Sequence, residues 1–231
     1  MHKVDLPAQH ERFKSAQPFP HIVFDGFLDG GFAREVAASF PRYEEAEKFG
    51  DSFETEFEHK KVQVTDLESL PEPIQRVHQH LASQPFLDQL SALTGIPKLL
   101  ADPKLHGGGI HTTDSGGRLD VHVDFNYVPD LGWWRRLNLL LYLNEGWQDD
   151  WGGQLELWDP EVSRCELSVS PILNRCLIFE TGHYSYHGVR PVTSPDGVAR
   201  KSISAYYYTS IAPPGFERFH GTVFQKRPDE R

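Results

Sequence analysis

RLDVHVDF, residues 118–125, alternates apolar and polar side chains along its whole length. A period of two is the signature of a β-strand, in which side chains two apart point to the same face. Leu119, Val121 and Val123 then face one way, and Asp120, His122 and Asp124 the other. His122 and Asp124 project together, so one strand offers an imidazole and a carboxylate to one metal ion. A third ligand has to come from another strand. TGHYSYHGVRPV, residues 181–192, supplies two choices, His183 and His187. An H-x-D pair alone is also what a solvent-facing polar row looks like, so its meaning rests on the rest of the chain.

Outward from that strand, residues 98–211 break into short apolar or alternating runs separated by Gly, Asp and Pro: LLADPKLHGG, GIHTT, RLDVHVDF, RRLNLLLYLNE, GGQLELWD, CELSVS, RCLIFET and RKSISAYYYTS. About eight such strands without helical periodicity between them predict an antiparallel, two-sheet jelly roll. Before residue 98 the character differs. A strand is expected at His21 to Phe24 and a helix from Asp29 as N-cap. Further helices are expected over Glu72 to Ala82, with Pro73 in the first turn, and from Pro85 to Leu93, ending at Gly95. The charged stretch Tyr43 to Lys61 reads as a surface excursion or a mobile loop. The fold class is therefore mainly β with N-terminal helices, a double-stranded β-helix (jelly-roll, cupin-like) barrel. We expect one domain over 1–231: a helical part to about residue 97, a barrel over about 98–211, and a tail at 212–231.

Composition narrows the partners. The formal net charge is −10, whereas nucleic-acid binders draw most of their affinity from basic faces that neutralise phosphates. Basic clusters such as Arg135-Arg136 and Lys226-Arg227 are no more than pairs, so no nucleic-acid partner is expected. No window approaches a membrane span. The N-terminal MHKVDLPAQH lacks the apolar run of a secretory signal, and Cys165 and Cys176 are expected as free thiols, so a cytoplasmic location is expected. Oligomeric state is not legible.

Two histidines and one carboxylate leave three positions open on a metal, the pattern of non-haem Fe(II) oxygenases. If a dicarboxylate such as 2-oxoglutarate chelates the metal at one end, its far carboxylate needs a cation. The planar fork of arginine suits it best. In ARKSISAYYYTS, residues 199–210, Arg200, Ser202 and Ser204 share a face, and Lys201, Ile203 and Ala205 the other. Arg200 with Ser202 gives a charged fork plus a hydroxyl, and Lys201 competes if the register is inverted. In the preceding long strand Arg136, Asn138, Leu140 and Tyr142 share a face opposite Leu137, Leu139, Leu141 and Leu143.

HVDF (122–125), LLYLN (140–144), GGQLELW (152–158), HGVRPV (187–192) and RKSISAYYY (200–208), in this order, resemble the prolyl 4-hydroxylase-like branch of the Fe(II)/2-oxoglutarate dioxygenases. FPHIVFDGFL near the N-terminus is similar to the lead-in strand of bacterial members. The resemblance implies His122, Asp124 and His187 as iron ligands and Arg200 as the partner of the C5 carboxylate. It implies Tyr142 as a second donor there, Asn138 nearer the iron, and His111 where members often carry a co-substrate-contacting tyrosine. Fe(II), 2-oxoglutarate and O₂ are implied, with ascorbate as an auxiliary reductant. The implied reaction is hydroxylation of an unactivated C–H bond of a small molecule or peptidyl residue, coupled to decarboxylation of 2-oxoglutarate to succinate and CO₂. NYVPDLGWWR (126–135) reads either as a lid over the iron or as packing aromatics. Rival readings are a nucleic-acid demethylase, a zinc hydrolase on the same ligands, and a non-catalytic jelly-roll metal- or ligand-binding module.

Overall fold

The computed structural model describes residues 5–216 and 218–230. Five helices lie among them: α1 (Leu6–Ser15), α2 (Gly30–Ser39), α3 (Tyr43–Ala46), α4 (Glu72–Leu81) and α5 (Gln84–Thr94). The strands are β1 (His21–Asp25), β2 (Asp51–Phe53), β3 (Glu58–Val64), β4 (Leu100–Ala101), β5 (Gly109–Val123), β6 (Tyr127–Val128) and β7 (Trp133–Tyr142). They continue as β8 (Leu155–Trp158), β9 (Cys165–Val169), β10 (Arg175–Glu180), β11 (His187–Val189), β12 (Arg200–Thr209) and β13 (Val223–Phe224). Their ladders are antiparallel, in the order β1-β10-β7-β12-β5-β11-β8-β9. The curled, mainly β architecture is the jelly roll expected from the strand pattern.

Local signals act as expected at three helices. Asp29 caps α2 by accepting from the Gly31 and Phe32 amides, Pro73 sits in the first turn of α4, and Gly95 ends α5 at φ +76°. Gly95 adopts the left-handed conformation that glycine enters without Cβ strain. The alternation of β7 divides two apolar layers. Leu137, Leu139, Leu141 and Leu143 pack with Ile203, Tyr207 and helix residues such as Ile74, Leu81 and Leu90. Leu140 and Tyr142 face the barrel interior with Leu155, Leu157, Leu177 and Phe179. Each buried leucine contributes on the order of 2 kcal/mol, so the odd-numbered face fixes which side of β7 is left to line a site.

Several sequence expectations are corrected. Residues 43–61 are not a surface excursion: they form α3 and β2 and begin β3, which pairs with both β2 and β5. The part before residue 97 is therefore not purely helical, and α1 was not foreseen; residues 1–4, which opened the N-terminal reading, lie outside the described residues. GIHTT and RLDVHVDF belong to one strand of 15 residues, β5. Gly116 at φ +86° and Gly117 bend it without ending it; a Cβ on Gly117 would lie 2.5 Å from Thr113 Cγ2 and 2.8 Å from the His59 carbonyl. Such a glycine kink lets a long strand change direction inside a barrel. The tail adds β13, paired with β5 at His122 and Val123. It is tied down by Glu156 of β8, which is fully buried and accepts from Arg227 Nε (3.1 Å) and Trp158 Nε1 (3.2 Å).

One core residue makes stability depend on pH. His78 of α4 is buried, and its Nε2 has no hydrogen-bond partner among the described residues. Burial pulls its imidazole down to about 4. The unfolded chain, with a histidine near 6.5, binds more protons between those values, so stability falls as pH drops through that window. Acidification from pH 7 to 5 costs about 2 kcal/mol through this group. His78→Leu should remove that increment from urea unfolding curves at the two pH values; identical pH dependence in both proteins would assign the effect elsewhere.

Candidate active site

The three sequence-predicted ligands converge. His122 is the next-to-last residue of β5, Asp124 lies just past the end of that strand, and His187 opens β11 opposite His122 in register. One ligand atom from each lies within 4.8 Å of the others. Asp124 Oδ1 is 3.6 Å from His122 Nε2, and Oδ2 is 3.4 Å from His187 Nε2. Each imidazole is oriented from behind: Nδ1 lies 2.8 Å from the Asp120 carbonyl in His122 and 2.9 Å from the Ser185 carbonyl in His187. A carbonyl can only accept, so Nδ1 carries the proton and donates, which turns the Nε2 lone pairs inward. Burial, helped by neighbouring His122, lowers His187 to about 4, so it is neutral and ready to ligate. Burial opposes ionisation of Asp124, but Arg135 and the two histidines outweigh it and hold the carboxyl well below its usual range. His183 is exposed and stacks near Tyr184 and Phe216, away from this cluster.

The same pocket, about 380 Å³, ends at Arg200. Ser202 of β12 stands opposite both Tyr142 of β7 and His111 of β5, so these side chains share one face. Arg200 is 3% exposed; its Nε donates to the Gly153 carbonyl at 2.7 Å, and its Cζ lies 5.1 Å from the Tyr142 ring centroid. Arg200 Nη2, Tyr142 Oη and Ser202 Oγ are buried with no hydrogen-bond partner among the described residues. Burial pushes the Tyr142 hydroxyl up to about 12, with Arg200 opposing, so it stays protonated as a donor. Buried donors without acceptors are costly. A carboxylate would satisfy all three, so the residues fit a dicarboxylate co-substrate. Lys201 points to the other face, 5.9 Å from the Phe40 ring, which resolves the register in favour of Arg200.

His111 lines the pocket, but both ring nitrogens are engaged: Nε2 with the Gly107 carbonyl at 3.1 Å, Nδ1 with Ser204 Oγ at 3.3 Å. It shapes the wall without a free donor to offer. Asn138 lies beside the His–Asp–His cluster, donating to Asp124 Oδ2 at 2.8 Å and accepting from Arg135 Nε at 2.9 Å.

Arg135 was missed. Strict alternation from Asn138 puts Arg136 in the pocket and Arg135 behind it. The β7–β12 register instead shifts between Tyr207 and Tyr208, which pair with Leu137 and Arg135 and pass over Arg136. This bulge turns Arg135 inward, where it is 1% exposed and lies over the Tyr206 ring at 3.5 Å and the Phe125 ring at 4.6 Å. The stretch 126–135 forms β6 and the start of β7, with Tyr127 against Trp134 at 5.0 Å. Two further contributors gave no sequence signal. Lys61 of β3 enters paired to Glu58 at 2.7 Å, and Phe224 of β13 stacks on Phe57 at 4.3 Å and borders His122 at 5.4 Å.

Known proteins are similar to this chain in sequence and fold. The family model described as the 2OG-Fe(II) oxygenase superfamily matches residues 108–208, the stretch that holds His122, Asp124, His187 and Arg200. Prolyl 3-hydroxylase OGFOD1 of Mus musculus is 28% identical over 208 residues, 87% of this chain and 35% of that protein; the chain thus spans about a third of the relative's length. A prolyl-4-hydroxylase from Pseudomonas putida is similar in structure with a TM-score of 0.58 and 20% identity, covering 87% of this chain and 99% of that one. HygX from Streptomyces hygroscopicus, solved with nickel, 2-oxoglutarate and hygromycin B bound, has a TM-score of 0.54 and 14% identity, covering 89% and 92%. On the strand order, the His–Asp–His cluster and the family match over residues 108–208, the chain is similar to the 2OG-Fe(II) oxygenase superfamily, and its fold to that of a prolyl-4-hydroxylase.

Proposed function

We propose that this chain is an Fe(II)- and 2-oxoglutarate-dependent hydroxylase. The observation that carries the reading is the pairing, in one pocket, of an inward-facing His–Asp–His cluster with three buried donors that have no acceptor. His122, Asp124 and His187 would hold the metal by one face. Arg200, Tyr142 and Ser202 would hold the far carboxylate of 2-oxoglutarate, the arginine by charge and fork, the hydroxyls by donation. With both bound, iron and 2-oxoglutarate supply the oxidising power of the reaction with O₂, yielding succinate, CO₂ and a hydroxylated C–H position. The protein's part is geometric. The backbone carbonyls behind the histidines fix their rings, and Asn138 fixes Asp124. Leu140, Leu155 and Val189 give the pocket an apolar wall, which would disfavour water beside the reacting centre.

The substrate is a small molecule or a peptidyl residue. The two relatives whose names state a target act on prolyl groups, while HygX binds hygromycin B, and a shared barrel does not carry a substrate across. The net charge of −10 supports a partner other than nucleic acid, and among the described residues no helix is long and apolar enough to cross a membrane. Free thiols at Cys165 and Cys176 are consistent with a cytoplasmic setting. Nothing favours the non-catalytic binding module, since ligands and donors are all in place.

Anaerobically loaded with Fe(II) and then given O₂ and 2-oxoglutarate, the purified protein should form succinate above a metal-free control even without its prime substrate. A chelator should return it to background. Absence of both Fe(II) binding and 2-oxoglutarate binding would refute the oxygenase reading and move the binding module forward.

A further inference from the structure

Arg135 is nearly inaccessible, yet its only carboxylate partner among the described residues is Asp124, one of the three residues that would hold the metal. Its Nη2 lies 3.1 Å from Asp124 Oδ2, close enough for an ion pair but off the line of a hydrogen bond, so Nη2 keeps an unused donor. The side chain cannot swing away easily. Tyr206 and Phe125 lie close to its guanidinium, and Asn138 holds its Nε. Two further cations lining that pocket are already paired, Lys61 of β3 with Glu58 and Arg118 of β5 with Asp120. A permanent positive charge is thus fixed against the ligand atoms, where a divalent cation is to bind.

We propose that Arg135 couples the metal to the dianionic co-substrate: its charge weakens binding of the metal alone and strengthens binding of the metal together with 2-oxoglutarate. The inference rests on the oxygenase reading and adds a regulatory property to the same site. Imidazoles ligate in their neutral form, so the metal-free cluster of Asp124 and Arg135 carries no net charge, −1 and +1. A divalent ion entering it meets no net attraction and leaves a site of charge +2. Arg200, buried at the far end, adds another positive charge. A dianion then relieves the excess, and the relief is larger because Arg135 is there. Interactions between charges this close and this buried are screened little by salt. By linkage, whatever factor 2-oxoglutarate adds to metal affinity, the metal adds to 2-oxoglutarate affinity. The site so arranged resists filling by metal alone and fills when both components are present.

The test is the dissociation constant of Mn(II), a stand-in without turnover, measured by titration of the full chain with and without saturating 2-oxoglutarate. The ratio of the two constants is the coupling factor. Arg135→Gln removes the charge and keeps an amide donor for Asp124. Arg135→Lys keeps the charge and loses the fork. The wild type should show a coupling factor of about tenfold or more. In Arg135→Gln the coupling should fall about tenfold while Mn(II) alone binds no more weakly than to wild type. Arg135→Lys should stay within about threefold of wild type. Melting curves check folding first, and Arg135→Met, similar in volume, replaces the glutamine variant if that one does not fold. Equal coupling in the wild type and the uncharged variant, or equal loss in the lysine and uncharged variants, overturns the proposal. A wild type that binds no Mn(II) at all instead brings down the metal-site reading beneath it.

Discussion

His122→Ala should bind no metal at stoichiometric concentrations and should form succinate only at the background rate. The expectation follows from what the residue does at both ends of its ring. Nε2 would supply one of three protein ligand atoms, and Nδ1 locks the ring to the Asp120 carbonyl. Loss of a residue that only orients a ligand typically costs about 10–100-fold in metal affinity, so loss of a ligand should exceed about 100-fold. The fold should survive. The pairing of β5 with β11 at this position runs through the backbone, and β13 covers the same residue from the other side. The variant should therefore melt like the metal-free wild type but lose the stabilisation added by metal, which for the wild type is about 2.7 kcal/mol at 100 times the dissociation constant. His183→Ala is the control. Its ring is exposed and outside the cluster, so metal binding should be unchanged. A His122→Ala protein that retains metal at wild-type affinity would show that the ion is held elsewhere.

How far the sequence could be read depended on whether local periodicity survived folding. The odd leucines of β7 face the helices and Asn138, Leu140 and Tyr142 face the barrel, as alternation demands. Which of Arg200 and Lys201 faces the pocket follows the same rule, because β12 pairs regularly with β5 over those residues. His122 and Asp124 were legible for this reason, and His187 through its motif context. Arg135 was not, because a bulge at Arg136 breaks the period just before Asn138, and a bulge depends on the partner strand as much as on the sequence that bulges. The segment β2–β3 was read as a loop because its charges look solvent-exposed. In the structure Lys61 and Glu58 neutralise each other while β3 completes an edge of β5. β11 has only three residues, too few for any pattern to register. The place of Phe224 beside His122 is a long-range contact made by the tail, and nothing local to residues 212–231 announces it.

Arg200→Ala should raise the KM for 2-oxoglutarate by about 10²–10³-fold and lower kcat far less, whereas Lys201→Ala should leave both within about twofold. The first magnitude is that of truncating one partner of a buried, hydrogen-bonded charge pair, about 2–5 kcal/mol. The KM bias follows from distance: the far carboxylate takes no part in bond-making, so its contacts are shared by ground and transition states. Arg200→Lys should fall between, because an ammonium keeps the charge but cannot present the planar fork. A second readout separates binding from folding. In the ligand-free protein Arg200 is buried with no ion pair to a carboxylate among the described residues, and burial pulls it below the usual arginine range. An uncompensated buried charge is a cost to the folded state. Ligand-free Arg200→Ala should therefore melt no lower than wild type, while the rise in melting temperature that 2-oxoglutarate gives the metal-loaded wild type should vanish in the variant. If Lys201→Ala carried the KM effect instead, β12 would have to present its other face to the pocket. The pairings of Ser202 with Tyr142 and His111 would then be wrong together, since a one-residue slip moves every side chain of a strand to the opposite side.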